Sequence, residues 1–274
     1  MRKQVIVALT LMCGSALFGQ APAPAPAPAG ANAPAAQAPA PQSPAPEELK
    51  AETYVRRVSV GATLSVLGLT QFKPNTINPI TENPHVDALY STTNASPRIG
   101  WGGTAQVLIT DRFAVNASIL VRHTGYQMNS DIISGTDVAS TPEDERVFTV
   151  ANEDTRARLY DLPVVLRFYG KDRYEPGPRW FVEGGAAFRR VSHWRSTTVT
   201  TVGSGSPTYD YTPTEPAHKN VRGMVAGFGV QFIDPVGIRV VPEVRYTRWL
   251  ASTFDSLSTK SRRDEIAAMF SLTF

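Results

Sequence analysis

Apolar and polar residues alternate along most of this chain from residue 54 onward, and no helical period interrupts them. The alternation separates into eight runs, at about 54–69, 98–110, 113–129, 156–169, 179–200, 219–233, 236–250 and 262–274. Each run is read as a strand. The connections between them alternate in length. Asp111-Arg112 joins the second and third runs, Gly170 to Pro178 the fourth and fifth, and Asp234-Pro235 the sixth and seventh. The other four connections, at about 70–97, 130–155, 201–218 and 251–261, are longer. They are rich in Thr, Ser, Asn, Asp and Pro, as surface loops are.

Short turns alternating with long loops, on an even number of strands, is the layout of an outer-membrane barrel. The expected fold is all-β: an eight-stranded antiparallel up-and-down transmembrane β-barrel with short periplasmic turns and long outer loops. The two faces of each run fit. Phe113, Val115, Ala117, Ile119 and Val121 share one parity, and Asn116, Ser118 and Arg122 the other. Leu162, Val164, Leu166 and Phe168 oppose Asp161 and Arg167, while Trp180, Val182, Ala186 and Phe188 oppose Glu183 and Arg189. Ile238, Val240, Val244 and Tyr246 oppose Arg239, Glu243 and Arg245, and the last run sets Ile266, Ala268, Phe270, Leu272 and Phe274 against Glu265.

Alternation alone does not say which face is inside. A soluble barrel would put the apolar parity inward, around a lipophilic ligand. The aromatic residues favour a membrane instead. Phe113, Phe168, Trp180, Phe232 and Phe274 carry the apolar parity at the strand ends nearest the short turns or the C-terminus. Trp101, Tyr160, Phe188 and Tyr246 carry it at or towards the loop ends. Two aromatic belts at two heights are what the two interfaces of a bilayer select. With the register reversed, Arg239 and Arg245 would face lipid at about 2–4 kcal/mol each near the midplane. Pro242 cannot donate to a ladder, so a bulge or local bend is expected there.

Composition places the barrel. Residues 1–19 read as a signal peptide, with Arg2 and Lys3 ahead of an apolar stretch too short to span a bilayer as a helix. Residues 20–53 read as an Ala/Pro-rich disordered linker in the periplasm, since 21 of the 26 residues at 21–46 are Ala or Pro. The barrel domain is 54–274. The one cysteine, Cys13, lies in the leader, which excludes a disulfide scaffold and a cysteine-based metal site. Beyond residue 46 there are 25 basic against 24 acidic residues, a balance that argues against nucleic acid as a partner.

Leu159-Tyr160-Asp161-Leu162-Pro163-Val164-Val165-Leu166-Arg167, Phe181-Val182-Glu183-Gly184-Gly185, Pro242-Glu243-Val244-Arg245-Tyr246 and the terminal Phe carry a resemblance to known proteins. Over about 54–274 the chain resembles the bacterial outer-membrane β-barrel domain families, the small outer membrane protein A-like and porT-like barrels. The resemblance implies a location in the cell outer membrane, with the lipid bilayer and lipopolysaccharide around the barrel. It also implies that Phe270, Leu272 and Phe274 form the signal read by the barrel assembly machinery. The families span adhesins, anchors and lipid-modifying enzymes, so activity is left open.

The ionisable residues expected inside are Arg122, Asp161, Arg167, Glu183, Arg189, Arg239, Glu243, Arg245 and Glu265. Eight strands enclose a space that side chains fill, so a salt-bridged plug is the preferred reading and a small ion or solute channel the alternative. His85, His123, His193 and His218 are scattered and lack the spacing of a metal site. His193 and Ser196, with Glu183, resemble the residue types of the lipid A deacylases, but in an extended strand the first two point to opposite faces. No catalytic residue, metal or cofactor is assigned. Tyr90, Tyr209 and Tyr211 lie among small polar residues in the long loops, where binding surfaces are commonly built. The expectation is a non-enzymatic outer-membrane protein, structural or binding a surface ligand through its loops.

Overall fold

In a computed structural model of the chain, residues 56–82, 85–135, 146–212, 214–234 and 236–274 are described. The leader, the Ala-Pro run, Cys13 and Pro235 lie outside them. The strands are β1 (Val58–Leu67), β2 (Asn75–Ile77), β3 (Ile80–Glu82), β4 (His85–Asn94), β5 (Ile99–Leu108), β6 (Phe113–Ser134), β7 (Val147–Tyr169), β8 (Arg179–Val202), β9 (Thr208–Asp210), β10 (Asn220–Ile233), β11 (Arg239–Trp249) and β12 (Asp264–Thr273).

Eight of these close on themselves. β1 pairs with β5 and with β12, and the circuit β5–β6–β7–β8–β10–β11–β12 completes it, every pairing antiparallel. Each ring strand pairs with the ring strand next in sequence, and the first and last ring strands meet where Gly61 lies opposite Thr273. Each of the eight alternating runs supplies one ring strand.

The number of strands corrects the sequence reading: among the described residues there are twelve, not eight. β2, β3 and β4 lie in the stretch read as the 70–97 loop, and β9 in the 201–218 loop. β6 continues to Ser134 and β7 starts at Val147, inside the stretch read as a third long loop. These segments are rich in Thr, Ser, Asn and Asp. Such residues mark loops when they stand alone, but Thr, Tyr and Val also suit a pleated surface once a neighbouring strand offers hydrogen bonds.

That neighbour exists because β6, β7 and β8 are 22, 23 and 24 residues long. Within the ring they pair up to about Arg122, Leu159 and Arg190. Beyond it they pair with one another over about twelve further residues, or about 40 Å of strand. β4 adds to β6 from Asn94 opposite Tyr126 to Val86 opposite Ser134, β2 and β3 flank β4, and β9 flanks β8. A second sheet therefore projects from one side of the ring.

Pro242 produces no bulge. Pairing between β10 and β11 lapses between Gly229–Glu243 and Phe232–Val240, then resumes in the same register. Pro163 does the same between Ala117–Val164 and Leu120–Asp161. Each proline removes a donor without inserting a residue. The register shift in the β7–β8 pairing lies instead at Arg156/Arg158, where His193 takes φ 51° and an extra residue enters β8.

Ring closure brings backbones close at two glycines. A Cβ on Gly102 would overlap the Ile119 carbonyl of β6, and one on Gly61 the Leu272 carbonyl of β12. Gly102→Val adds volume where only backbone can yield, a cost of about 1–3 kcal/mol. The variant is expected to lose much of its fast-migrating band on an unboiled gel. A band equal to wild type would show that the strands do not approach there.

Candidate functional site

Strand alternation sends the charged parity of the ring into its interior. Eight of the nine ionisable residues singled out above form two squares. In the first, Arg167 of β7 donates through Nε to Glu183 Oε2 at 2.8 Å and also pairs with Glu243. Arg245 completes it, donating to Glu183 Oε1 and Glu243 Oε1, each at 2.8 Å. In the second, Arg189 holds Asp161 through two bonds at 2.6 and 2.8 Å and reaches Glu265 Oε2 at 2.7 Å. Arg122 pairs with the same Glu265 and lies 3.3 Å from Asp161.

Every carboxylate thus sits between two arginines and every arginine between two carboxylates. The two squares are formally neutral, four charges of each sign. All eight residues are less than 10% exposed. Polar neighbours extend the pairing: Gln106 accepts from Arg167 at 3.0 Å, Ser65 from Arg122 at 2.9 Å, and Trp249 Nε1 donates to Glu265 at 3.2 Å. Guanidinium groups also lie over rings, Arg167 at 4.5 Å from Phe181 and Arg189 at 4.0 Å from Trp249. The ninth residue, Arg239, joins neither square and donates to the Arg56 carbonyl at 3.2 Å.

Apolar clusters pack above and below the charge squares. On the turn side, Leu108, Ala114, Tyr169, Phe181 and Val241 pack together, with Arg179 4.2 Å over Tyr169. Arg179 is fully buried and ties two turns by donating to the carbonyls of Asp111 and Lys171. On the loop side Phe72, Tyr126 and Phe254 form a triangle with ring centroids 5.2, 5.6 and 5.9 Å apart. Phe72 and Phe254 come from the two connections that fold over the opening, linked where Phe72 bridges Ser261.

Above that triangle Glu153 is buried without a cationic partner among the contacts of its carboxylate. Its Oε1 accepts from Thr155 at 2.6 Å, from Tyr126 and Thr214 at 2.8 Å each, and from Ser196 at 3.3 Å. Burial pushes the Tyr126 phenol up to about 12, which keeps it a donor across the ordinary pH range. The sequence reading missed Glu153 because it began that strand at 156 and left 130–155 as loop; Tyr126 lay inside the 113–129 run but was not singled out. The signal was present: Ala151, Glu153, Thr155 and Ala157 continue the inward parity of Leu159 and Asp161.

The apolar parity lies on the outside of the ring, so it lines no cavity. Phe113, Phe168, Trp180, Phe232 and Phe274 stand at the turn side of the wall, where Phe113 and Phe168 are opposite each other with centroids 5.1 Å apart. Trp101, Tyr160, Phe188 and Tyr246 stand towards the loop side. Trp101 is 62% exposed and Trp180 52%. Phe270 and Leu272 also face outward.

The histidines form no ligand cluster among the described residues. His123 faces outward from β6, His193 sits at the β8 bulge, and His218 meets the Ser252 carbonyl at 2.9 Å. Among the described residues no group of three or more His, Cys, Asp and Glu is placed to hold a metal ion. Ser196 turns inward to Thr155 and Glu153, while His193 Nδ1 meets the adjacent Ser192 Oγ at 2.7 Å. Glu183 belongs to the first charge square. Tyr209 and Tyr211 are 58% and 68% exposed.

No protein-family model matches the chain, and no curated protein matches it. Among solved structures it is similar to Ail, the attachment invasion locus protein of Yersinia pestis. The structure of Ail in complex with the heparin analogue sucrose octasulfate aligns at 12% identity and a TM-score of 0.32, over 79% of this chain and 96% of that one. A second structure of Ail aligns at 10% identity and a TM-score of 0.26 over the same shares. The fold described above rests on the strand pairings themselves.

Glu243→Ala leaves Arg167 and Arg245 with one carboxylate between them. Breaking a buried pair in this way costs about 3–5 kcal/mol. Urea unfolding followed by tryptophan fluorescence should show a large fall in midpoint for Glu243→Ala and almost none for Asp264→Ala at the exposed Arg248 pair. Equal small shifts in both variants would contradict a closed charge network.

Proposed function

We propose that the chain is a non-enzymatic outer-membrane protein whose ring is a transmembrane β-barrel and whose projecting sheet is a binding surface outside the cell. The observation that carries the membrane reading is the inversion of the ring: ion pairs inside, large apolar side chains outside. In water, that outer wall would be a very large apolar patch. In lipid it is the expected surface, and the aromatic belts mark its two edges. From Tyr160 to Phe168 is eight residues, about 26 Å along the strand. With a strand tilt of about 40° this gives about 20 Å of height, close to the apolar band of such barrels.

In this reading the short turns, the leader-derived N-terminus and the Ala-Pro linker are periplasmic, and Phe270, Leu272 and Phe274 serve assembly. Lipopolysaccharide and the barrel assembly machinery are its partners by location. The charge squares and the aromatic triangle plug the interior, which favours a binding role over conduction. The binding surface is the projecting sheet, where Tyr209 and Tyr211 offer contact area at low entropic cost.

Two outcomes are expected. In planar bilayers the folded protein should give no discrete conductance steps, and sustained steps would favour the channel. Expressed in a non-adherent host, the chain should raise attachment of cells to surfaces, and Tyr209→Ala with Tyr211→Ala should reduce that gain several-fold. Attachment equal to the empty vector would contradict the binding role.

A further inference from the structure

The outward wall of β6, β7 and β8 changes character just above the loop-side belt. Below Tyr160 it presents Leu162, Val164 and Leu166. Above Tyr160 it presents Arg158 and then Arg156. On β8, Arg190 lies directly opposite Tyr160 and Arg195 directly opposite Arg156, while His123 on β6 faces Arg158. Side chains paired in this way stand about 5 Å apart at Cβ, and like charges so placed destabilise a sheet. The β7–β8 bulge makes this arrangement. The extra residue at His193 restores the outward direction for Arg195, which otherwise would face inward.

The carboxylate that answers this charge is Asp154, which holds Arg156 at 2.9 Å. Among the described residues Arg158, Arg190 and Arg195 have no ion-pair partner. Arg156, Arg158, Arg195, His123 and His193 line one side-facing groove of about 760 Å³. The three arginines and two histidines of the groove, with Arg190 beside Tyr160, outnumber the one aspartate and make a site for an anion. The guanidinium fork suits the oxygens of a phosphate in particular.

We propose that this patch binds the phosphorylated headgroup of a lipid in the outer leaflet, with the lipid's chains against the wall below. The proposal rests on the membrane reading above. Two placements favour a lipid over a free anion. The basic patch is continuous with the apolar wall, so one amphiphile satisfies both. Its height also fits: Arg158 lies two residues and Arg156 four residues above Tyr160, about 7 and 13 Å along the strand. That range covers the headgroup layer just outside the hydrocarbon.

The test uses the full folded chain in phosphatidylcholine nanodiscs. Fluorescent bis-phosphorylated lipid A and its dephosphorylated counterpart are the probes. The phosphorylated lipid should be retained and the dephosphorylated one should not. Arg158→Gln and Arg195→Gln should each lower the apparent affinity about fivefold, with the unboiled gel band unchanged. Equal retention of the two lipids would overturn the proposal, as would unchanged affinity in both variants. Displacement of the lipid by an equal concentration of inorganic phosphate would overturn the lipid headgroup as ligand. A folded chain that stays outside the nanodiscs would instead overturn the membrane reading beneath it.

Discussion

Two neutral squares of alternating charge hold the ring together from inside. Isolated, any one of these buried ions would cost several kcal/mol to desolvate. Placed between two opposite charges, each has the company that makes burial tolerable. The geometry also fixes the walls relative to each other. The first square joins β7, β8 and β11, and the second joins β6, β7, β8 and β12. A slip of one residue in any of these strands would turn a charge outward and leave its partners unpaired. Register and charge pairing are therefore one constraint.

The rest of the ring follows from that constraint. With charged and polar side chains inside the ring, the apolar parity has only the outside left. Inside the ring, guanidinium groups stack on Phe181 and Trp249, and the aromatic triangle packs at the loop side. β6, β7 and β8 then run well beyond the ring. Their excess finds backbone partners in β4 and β9.

Much of this was legible in the alternation of residues. All eight ring strands and the parity of Arg122, Asp161 and Glu243 follow from period two alone. The projecting sheet did not, for a physical reason. Past residue 129 of β6 and before residue 156 of β7, Ser130, Asp131, Asn152 and Asp154 are polar on both strand faces and give little apolar contrast to mark a strand. Glu153 was legible only as a continuation of the inward parity of Ala157, Leu159 and Asp161. The pairing of particular charges was hidden too, because Glu265 meets Arg122 across 143 positions of sequence. Pro242 misled differently: a proline that removes a donor need not insert a residue.

The central claim is that the apolar parity faces lipid. Trp101, Trp180 and Trp249 test it directly. In single-tryptophan variants reconstituted with brominated phospholipids, Trp101 and Trp180 should be strongly quenched and Trp249, inside the ring, should not. Strong quenching of Trp249 with Trp101 and Trp180 unaffected, or quenching of all three only by acrylamide in water, would contradict the account.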